Sequence, residues 1–332
     1  ATLRRQRQMC IRDRMTMASL LAKTNPDAAD EGPLFPFPSM DELYKACPSF
    51  PQSREFTAGV EEAFLNAKDV LKTVLDPLTQ PLSWLLEGAL FIFLAAPWWI
   101  VVPLILLFVW YVCRSVAVTT FVTVSFAFLA FIDHLDAALQ TLAIIAVCTG
   151  ICIILGVPVG IAMAKSNRFQ RSLLPLLDLL QTLPTFVYLI PLIFLFSVTE
   201  PKLYGIAIIV YAIVPVIRLT DLGIRLVDQD VVEAANAFGM SSRQKLFGIE
   251  LPLALPNIMA GVNQTIMMSL AMVVIASLVS APGLGVLVLR GIRNLELGVG
   301  LIAGLGIVLL AVILDRVSKA AIARVSSDQT FK

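Results

Sequence analysis

The sequence predicts an all-α integral membrane protein with about seven transmembrane helices. Of its 332 residues, 58% are apolar and only 15% are charged, and the mean hydropathy is strongly positive. This composition excludes an ordinary soluble globular protein. Beyond residue 90, several apolar stretches are long enough to cross a bilayer, for which about 20 helical residues are needed. Because backbone polar groups must be paired inside hydrocarbon, these stretches are predicted to form a helical bundle.

The chain is predicted to divide near residue 90, where the frequency of charged residues falls. Residues 1–90 form a polar amino-terminal tail, residues 91–320 form the membrane domain, and residues 321–332 form a short carboxyl-terminal tail. Five prolines between Gly32 and Pro51 argue against regular structure in that part of the tail.

Residues 55–75 of the tail are predicted to form an amphipathic helix. Apolar residues recur at steps of three or four from Phe56 to Val74, and most charged residues lie elsewhere around the helix. Such a stripe fits either a membrane surface or a partner protein, and the pattern does not choose between them.

Seven apolar stretches of the membrane domain are predicted to be transmembrane helices. The fifth is short and is closed by Lys202 and Arg218, so its ends are expected near the interface unless the helix is partly buried. The predicted spans are Phe91–Cys113, Ser115–Ile132, Ala137–Ala164, Leu173–Val198, Leu203–Ile217, Ile258–Ala281 and Leu297–Leu314.

Basic residues in the short loops predict the orientation of the chain. If the amino-terminal tail lies outside the cell, the cytoplasmic segments carry twelve Lys and Arg residues and the external loops carry three. Cytoplasmic loops are enriched in basic residues, so the tail is predicted outside and the carboxyl terminus in the cytoplasm. The long tail is left out of this count because long segments translocate largely regardless of charge.

Residues 218–257, between the fifth and sixth predicted spans, are too long for a simple connection. Asp228 or Asp230 can begin a helix there, and Gly239 is suited to end it. Ser241 can cap a second helix on the far side of that glycine.

This second helix is predicted to extend to Ile249, before Pro252 and Pro256 interrupt the chain. The predicted result is a compact helix-turn-helix on the cytoplasmic side. Periodicity alone leaves a merely structural loop and a force-transmitting loop equally open.

The spacing inside this loop resembles the whole E-A-A-x3-G-x9-I-x-L-P signature of bacterial ABC importer permeases. Five further segments resemble the glycine betaine/proline (quaternary amine) permeases of that class: LLDLLQTLPTFVYLIPLIFLF at 176–196, PVIRLTDLGI at 215–224, GVNQTIMMSLAMVVIAS at 261–277, GLGVLVLRGI at 283–292 and ILDR at 313–316. The resemblance covers roughly residues 90–320. The residues that match the loop signature are Glu233, Ala234, Ala235, Gly239, Ile249, Leu251 and Pro252.

The resemblance implies a type I ABC importer permease in a bacterial inner membrane. It further implies a permease homodimer, two copies of a cytoplasmic ABC ATPase and a separate external substrate-binding protein. In alternating access, the ATPases would move the segment from Glu233 to Gly239 as a coupling helix and rock the bundle. Gly300 and Gly304 have the small-x-x-x-small spacing of a helix-packing surface suitable for a dimer.

The chain itself is expected to be non-catalytic. It has no G-x-x-x-x-G-K-[ST] phosphate loop, so ATP and Mg are expected on the partner ATPase, and no cofactor is expected on this chain. The single histidine, His134, lies in an external turn where metal ligands are not found, and no metal site is predicted. Membrane lipid is an expected partner, whereas the net charge of +1 does not suggest nucleic acid.

Asp178 is the only acidic side chain inside a predicted span and is a candidate for the translocation path. A carboxylate would attract a quaternary amine, and the aromatic face of Tyr188 could add a cation–π attraction. A structural ion pair or an interface position near the cytoplasmic end is favoured over the substrate role for Asp178, and helix-to-helix hydrogen bonding is favoured for Asn263 and Gln264. The candidate path residues are Asp178, Gln181, Thr182, Tyr188, Asn263 and Gln264.

Two other classes of protein remain as alternatives. A secondary transporter would be expected to show an internal repeat and buried ion ligands, and no such repeat is found. A membrane scaffold would explain the spans but not the loop signature. Within the importer class, taurine, nitrate, choline and carnitine remain alternative substrates, because related permeases share the loop.

Overall fold

The computed structural model describes the backbone of residues 53–330 and the side chains of residues 56–324. The predictions about the proline-rich part of the tail therefore lie outside the described residues. The described residues fall into two units, one that ends at Leu65 and one that begins at Asn66. Of the first unit, only the opening part of one helix is described, and the architecture below belongs to the second.

The described residues are helical almost throughout, and they contain no strand. Short 3₁₀ turns at Thr185–Tyr188 and Ser277–Val279 and a π-turn at Leu246–Glu250 connect some of the helices. The α-helices in chain order are α1 Ser53–Ala95, α2 Trp98–Cys113, α3 Val116–Phe131, α4 Leu135–Lys165, α5 Asn167–Thr182, α6 Leu189–Leu195, α7 Pro201–Arg225, α8 Gln229–Ala237, α9 Ser242–Lys245, α10 Leu251–Ala276, α11 Leu284–Asn294 and α12 Leu297–Thr330.

Helix α7 is the centre of the packing, since α4 and α10 both lie along it. Glycine makes the close approach of α4 possible, because a Cβ at Gly160 would lie 2.6 Å from Thr220 Cβ and 2.7 Å from the Ile217 carbonyl oxygen. On the side of α10, a Cβ at Gly261 would lie 3.1 Å from Val216 Cα. At the core of the protein, α4 and α10 therefore pack so closely on α7 that glycine is required at the points of contact.

Helix α1 is longer than the amphipathic helix predicted over residues 55–75. It continues to Ala95 through Pro77 and Pro81, so the predicted tail boundary at residue 90 falls inside the helix. In its later part, Leu82 and Leu86 are buried in the main hydrophobic cluster. This packing stabilises the helix beyond residue 75.

Among residues 53–330, five helices are long and apolar enough to cross a membrane, or six if one bent pair counts as a single span. The first two predicted spans differ most from their helices. Helices α2 and α3 have only 16 residues each, about 24 Å of helix, because the chain turns at Pro97 and again at Arg114. Arg114 takes a left-handed conformation, with φ 45°, that ends α2.

The fourth predicted span, Leu173–Val198, is broken rather than continuous. Its two halves, Asn167–Thr182 and Thr185–Leu195, meet at an angle of 105°. Leu183 precedes Pro184 and is extended, with ψ 134°, which is the conformation that a following proline enforces.

The fifth and sixth predicted spans are both longer in the structure. Helix α7 runs on from Ile217 to Arg225, so Asp221 also lies within a membrane-length helix and Asp178 is not the only such acid. Pro252 does not interrupt the chain, because it lies in the first turn of α10 and the wider π-turn precedes it. The helical run from Ser242 to Val279 is continuous in consequence.

Candidate functional site

The loop after α7 contains the predicted helix-turn-helix. Asp228 caps α8, since its carboxylate accepts a hydrogen bond of 3.0 Å from the Asp230 N–H. Gly239 follows the helix with φ +73°, and the Met240 N–H donates to the Ala235 carbonyl at 3.1 Å. Both ends of α8 are thus fixed by the residues that the sequence indicated.

The second helix of the loop is tied to the first. Ser241 and Gln244 form a reciprocal capping box at the start of α9. Lys245 then donates to the Asn236 side-chain oxygen at 3.0 Å, joining α9 to α8. With caps at each helix and a bond between them, the two helices can move as one unit.

The signature residues divide into an outward and an inward set. Glu233, Ala234 and Gly239 are exposed, while Ala235 is buried. Leu251 packs against a buried cluster of residues from α7 and α10, and Ile249 and Pro252 are half-buried. The inward set anchors the loop, and the outward set presents a surface.

Two aromatic side chains enlarge that outward surface. Phe238 is 87% exposed beside Gly239, and Phe247 in the π-turn is 67% exposed. Exposed phenylalanines on a rigid polar loop are typical of a surface that a partner protein covers.

Sequence reasoning missed an ion pair at the base of the loop. Glu250 is buried between the signature residues Ile249 and Leu251, and its carboxylate pairs with the ammonium group of Lys165 at the end of α4. A charged residue in a largely apolar run was the available signal, but its partner is 85 positions away.

A second polar network holds together the end of α4, the start of α5 and the end of α7. The buried Asp221 carboxylate accepts from Arg225 at 2.8 Å and from Gln170 at 2.7 Å. Arg225 also donates to the Asn167 side chain and to the Met163 carbonyl, each at 2.8 Å. The arginine therefore satisfies groups from all three helices.

Asp178 forms an ion pair with Arg218 of α7, the first residue of the predicted loop. Its side chain is 62% exposed, so the carboxylate is accessible as well as paired. Gln181 is half-buried at the end of the same helix, and Thr182 is exposed and donates to the Leu179 carbonyl at 3.2 Å.

Asn263 and Gln264 are not joined to the α5 candidates by any hydrogen bond in the described part of the chain. Asn263 donates to Asp315 at 3.4 Å and accepts from Ser318, both on α12. Gln264 is exposed on α10. The hydrogen bonds of the described residues therefore do not join the six candidate path residues into one network.

Gly300, predicted as part of a dimer surface, packs within its own chain. A Cβ at Gly291 of α11 would lie 2.5 Å from Gly300 Cα, so these two glycines allow α11 and α12 to touch. At Gly304, by contrast, an added Cβ would meet no atom within 4 Å, so space remains beside this position of α12.

Tyr188 braces the break between α5 and α6. Its hydroxyl donates to the Leu180 carbonyl oxygen. In a continuous helix this carbonyl would accept from residue 184, but Pro184 has no N–H. The Tyr188 ring is buried against Tyr211, with the ring centroids 6.5 Å apart.

We expect Tyr188→Phe to lower the free energy of unfolding by about 1–2 kcal/mol, because it leaves the Leu180 carbonyl without a partner. Tyr211→Phe is the matched control, since no hydrogen bond of the Tyr211 hydroxyl occurs among the described residues. Thermal unfolding of both variants in lipid nanodiscs measures the difference. Equal losses would show that the Tyr188 hydroxyl does not brace the break.

The helices described above define a multi-pass helical membrane protein. A solved methionine ABC transporter, MetNI in an inward-facing conformation, has the same fold, with a TM-score of 0.52 over 58% of this chain and 95% of that chain at 18% identity. Residues 156–327 match the family described as binding-protein-dependent transport system inner membrane component, and the chain belongs to that family.

Several curated relatives are similar over most of their length. The glycine betaine/proline betaine transport system permease protein ProW of Escherichia coli (strain K12) is 39% identical, over 86% of this chain and 78% of the relative. The glycine betaine transport system permease protein OpuAB of Bacillus subtilis (strain 168) is 42% identical, over 69% and 76%. The glycine betaine/carnitine transport permease protein GbuB of Listeria monocytogenes is 36% identical, over 78% and 89%.

Proposed function

We propose that this chain is the transmembrane permease subunit of an ATP-binding cassette importer for glycine betaine, proline betaine or a related quaternary amine. It moves the osmolyte into the cell by alternating access. ATP is hydrolysed on a separate ATPase, and this chain is not catalytic. Its membership in the inner-membrane transport family and the names of its relatives support this proposal.

The single observation that carries the proposal is the pair of helices α8 and α9, which are capped and joined by the Lys245–Asn236 hydrogen bond. Its exposed side presents Glu233, Ala234 and Phe238, and its inner side is anchored to α7 and α10. A push on such a unit is transmitted to the core helices, because the loop cannot absorb it by bending. We assign this surface to the cytoplasmic ABC ATPase.

The substrate class is inferred from the relatives and from charge. The relatives are named for glycine betaine, proline betaine and carnitine. Each of these compounds has a methylated nitrogen and is a zwitterion. The Asp178–Arg218 pair carries the two complementary charges on α5 and α7. We propose that this pair, with Gln181, Thr182 and Tyr188 nearby in sequence, lies on the translocation path, and that Asn263 and Gln264 reach the path only in the assembled permease.

The proposed assembly is a permease homodimer with two ATPase chains and an external substrate-binding protein. It lies in a bacterial inner membrane, with the amino-terminal tail outside and the carboxyl terminus in the cytoplasm. The excess of basic residues in the predicted cytoplasmic segments, including the α8–α9 loop, supports this orientation.

Reconstitution of the permease with its ATPase and binding protein in proteoliposomes tests the proposal. We expect ATP-dependent uptake of labelled glycine betaine or proline betaine. Unlabelled choline, carnitine and taurine are added as competing substrates. Uptake that needs no ATP would favour a secondary transporter and would overturn the proposal. ATP-dependent uptake of taurine or nitrate alone would retain the importer class and replace the substrate.

We expect Gly239→Val to reduce ATP-dependent uptake at least tenfold without loss of expression, because a β-branched residue resists the positive φ that ends α8. No atom lies within 4 Å of an added Cβ, so the effect is one of backbone conformation rather than collision. Gly239→Asn is the matched control, since asparagine tolerates the left-handed region and should retain most uptake. Full uptake by the valine variant would contradict a role for this turn in coupling.

A further inference from the structure

An open groove lies between helices α3 and α12. Its volume is about 280 Å³, and its lining residues are Ala117, Val118, Phe121, Val312 and Arg316. The groove is larger than a crevice for one water molecule, and its only charged lining residue is the arginine.

The direction of the two helices places the arginine at a helix end. A Cβ at Gly306 of α12 would lie 3.2 Å from the Leu129 side chain of α3, while Cys113, just before α3, contacts the Val317 carbonyl at 3.8 Å. The helices therefore run antiparallel, and Arg316 lies level with the start of α3. At that level a membrane helix reaches the zone of the lipid headgroups.

The walls of the groove favour hydrocarbon over water. Ala117, Val118, Phe121 and Val312 offer no side-chain hydrogen-bond partner, and a water molecule needs two to four such partners. The groove is open on one side, and the neighbouring Val116 and Val124 are exposed on α3. An acyl chain can therefore enter from the bilayer and follow the groove.

Arg316 has no hydrogen bond or ion pair in the part of the chain that the structure describes. The adjacent Asp315 does not neutralise it by contact, since its two oxygens bind Lys319 at 2.7 Å and Asn263 at 3.4 Å. The guanidinium group is exposed and available to an anion. Phosphate is the anion that its planar fork matches in a bilayer.

A second arginine is held close to the same end of the groove. Arg114 directly follows Cys113, whose thiol contacts the carbonyl of Val317, the residue after Arg316. Arg114 is exposed and also has no side-chain partner among the described residues. The start of α3 adds to this positive potential, because Ser115 provides no side-chain cap for its N–H groups.

We infer that this groove binds one membrane phospholipid, with an acyl chain along Val118, Phe121 and Val312 and the phosphate held by Arg316 and Arg114. An apolar groove that ends at Arg316, with Arg114 near the same end, matches an amphiphile with an anionic head. Free phosphate would leave the apolar walls uncovered, and an uncharged lipid would leave the arginines unpaired. The site requires no assumption about transported substrate or ATPase, so it stands independently of the proposed function.

Native mass spectrometry of the delipidated full-length chain, titrated with phosphatidylglycerol, tests the site. We expect one tightly retained lipid, with affinity about fivefold lower in Arg316→Gln, the loss expected for one basic residue near a membrane surface. The matched control is Arg293→Gln in the last turn of α11, next to the start of α12. Its side chain likewise has no partner among the described residues, and its loss should leave retention unchanged. Equal affinities of the two variants would overturn the assignment.

A second pair of measurements separates the apolar groove from the charge. Ala117→Phe fills the groove without changing charge. We expect it to weaken the binding of phosphatidylglycerol and also that of the phosphate-free lipid monogalactosyldiacylglycerol. Arg316→Gln should weaken the binding of phosphatidylglycerol only. Displacement of the lipid by millimolar inorganic phosphate, with no effect of Ala117→Phe, would show a free-anion site instead. No retained lipid on the wild-type chain would overturn the assignment.

Discussion

Replacing Lys165 with methionine is expected to lower the free energy of unfolding by about 3 kcal/mol, the lower end of the range for breaking a buried ion pair. The reason is the carboxylate that remains. The Glu250 side chain is 7% exposed and would keep a charge in an apolar setting, whereas the Lys165 side chain is 40% exposed and reaches solvent. The partial exposure of the lysine places the expected loss at the lower end.

A double-mutant cycle checks this expectation. Glu250→Gln alone should cost less than Lys165→Met, because the lysine left behind can extend into water. The double variant Lys165→Met with Glu250→Gln should be more stable than Lys165→Met alone, because it removes the stranded charge. Thermal unfolding in nanodiscs gives the three values, and strict additivity would contradict the direct pairing.

The same ion pair links the α8–α9 loop to α4, so its loss is expected to affect more than stability. Lys165 ends α4, and Glu250 leads from the π-turn into α10, so the pair lies where the loop enters the core. Under the proposed function, the charge-reversed pair Lys165→Glu with Glu250→Lys should recover more ATP-dependent uptake than either single reversal. Recovery of stability without recovery of uptake would confine the pair to a structural role.

The second large loss of stability is expected on substitution of Gly160. Gly160→Ala should destabilise the protein by about 1–3 kcal/mol, the usual cost of overpacking, because the new Cβ would meet Thr220 Cβ at 2.6 Å and a backbone oxygen at 2.7 Å. Backbone cannot rotate away as a side chain can. Helices α4 and α7 would have to separate along the central contact of the protein.

Gly150→Ala on the same helix is the matched control. No atom lies within 4 Å of an added Cβ there, so alanine should be neutral or stabilising by up to about 1 kcal/mol through its better helix propensity. The difference in unfolding temperature between the two variants in nanodiscs is the measurement. Similar behaviour of both variants would mean that α4 and α7 do not meet at Gly160.

The loop shows how far local sequence signals reach. The sequence predicts that Asp228 or Asp230 begins α8, that Gly239 ends it and that Ser241 caps α9; Asp228 is the residue that caps α8, and Gly239 and Ser241 occupy their predicted positions. Capping joins residues two to four positions apart, so both partners of the hydrogen bond can be read from a short stretch of sequence. Pro252 misled the prediction, because a proline in the first turn of a helix costs nothing and the π-turn before it was not visible in the periodicity.

The spans show where the same reasoning ends. Hydropathy located most of the apolar runs, but it stopped the fifth span at Ile217 because Arg218, Asp221 and Arg225 follow. Helix α7 continues because these charges are satisfied by other helices: Asp178 binds Arg218, and Gln170 shares Asp221 with Arg225. Counting charges along the chain gives no information about partners 40 or more positions away.

The sequence by itself determined the membrane class, the helical architecture and the position and caps of the α8–α9 loop. Composition and spacing fix these features because they depend on apolar length and on hydrogen bonds within one or two turns. Only the tertiary structure decided the bend of 105° between α5 and α6, the partner of Asp178, the pairing of Glu250 with Lys165 and the groove that ends at Arg316. These features depend on which helices lie side by side, and that arrangement is set by packing between residues far apart in the chain.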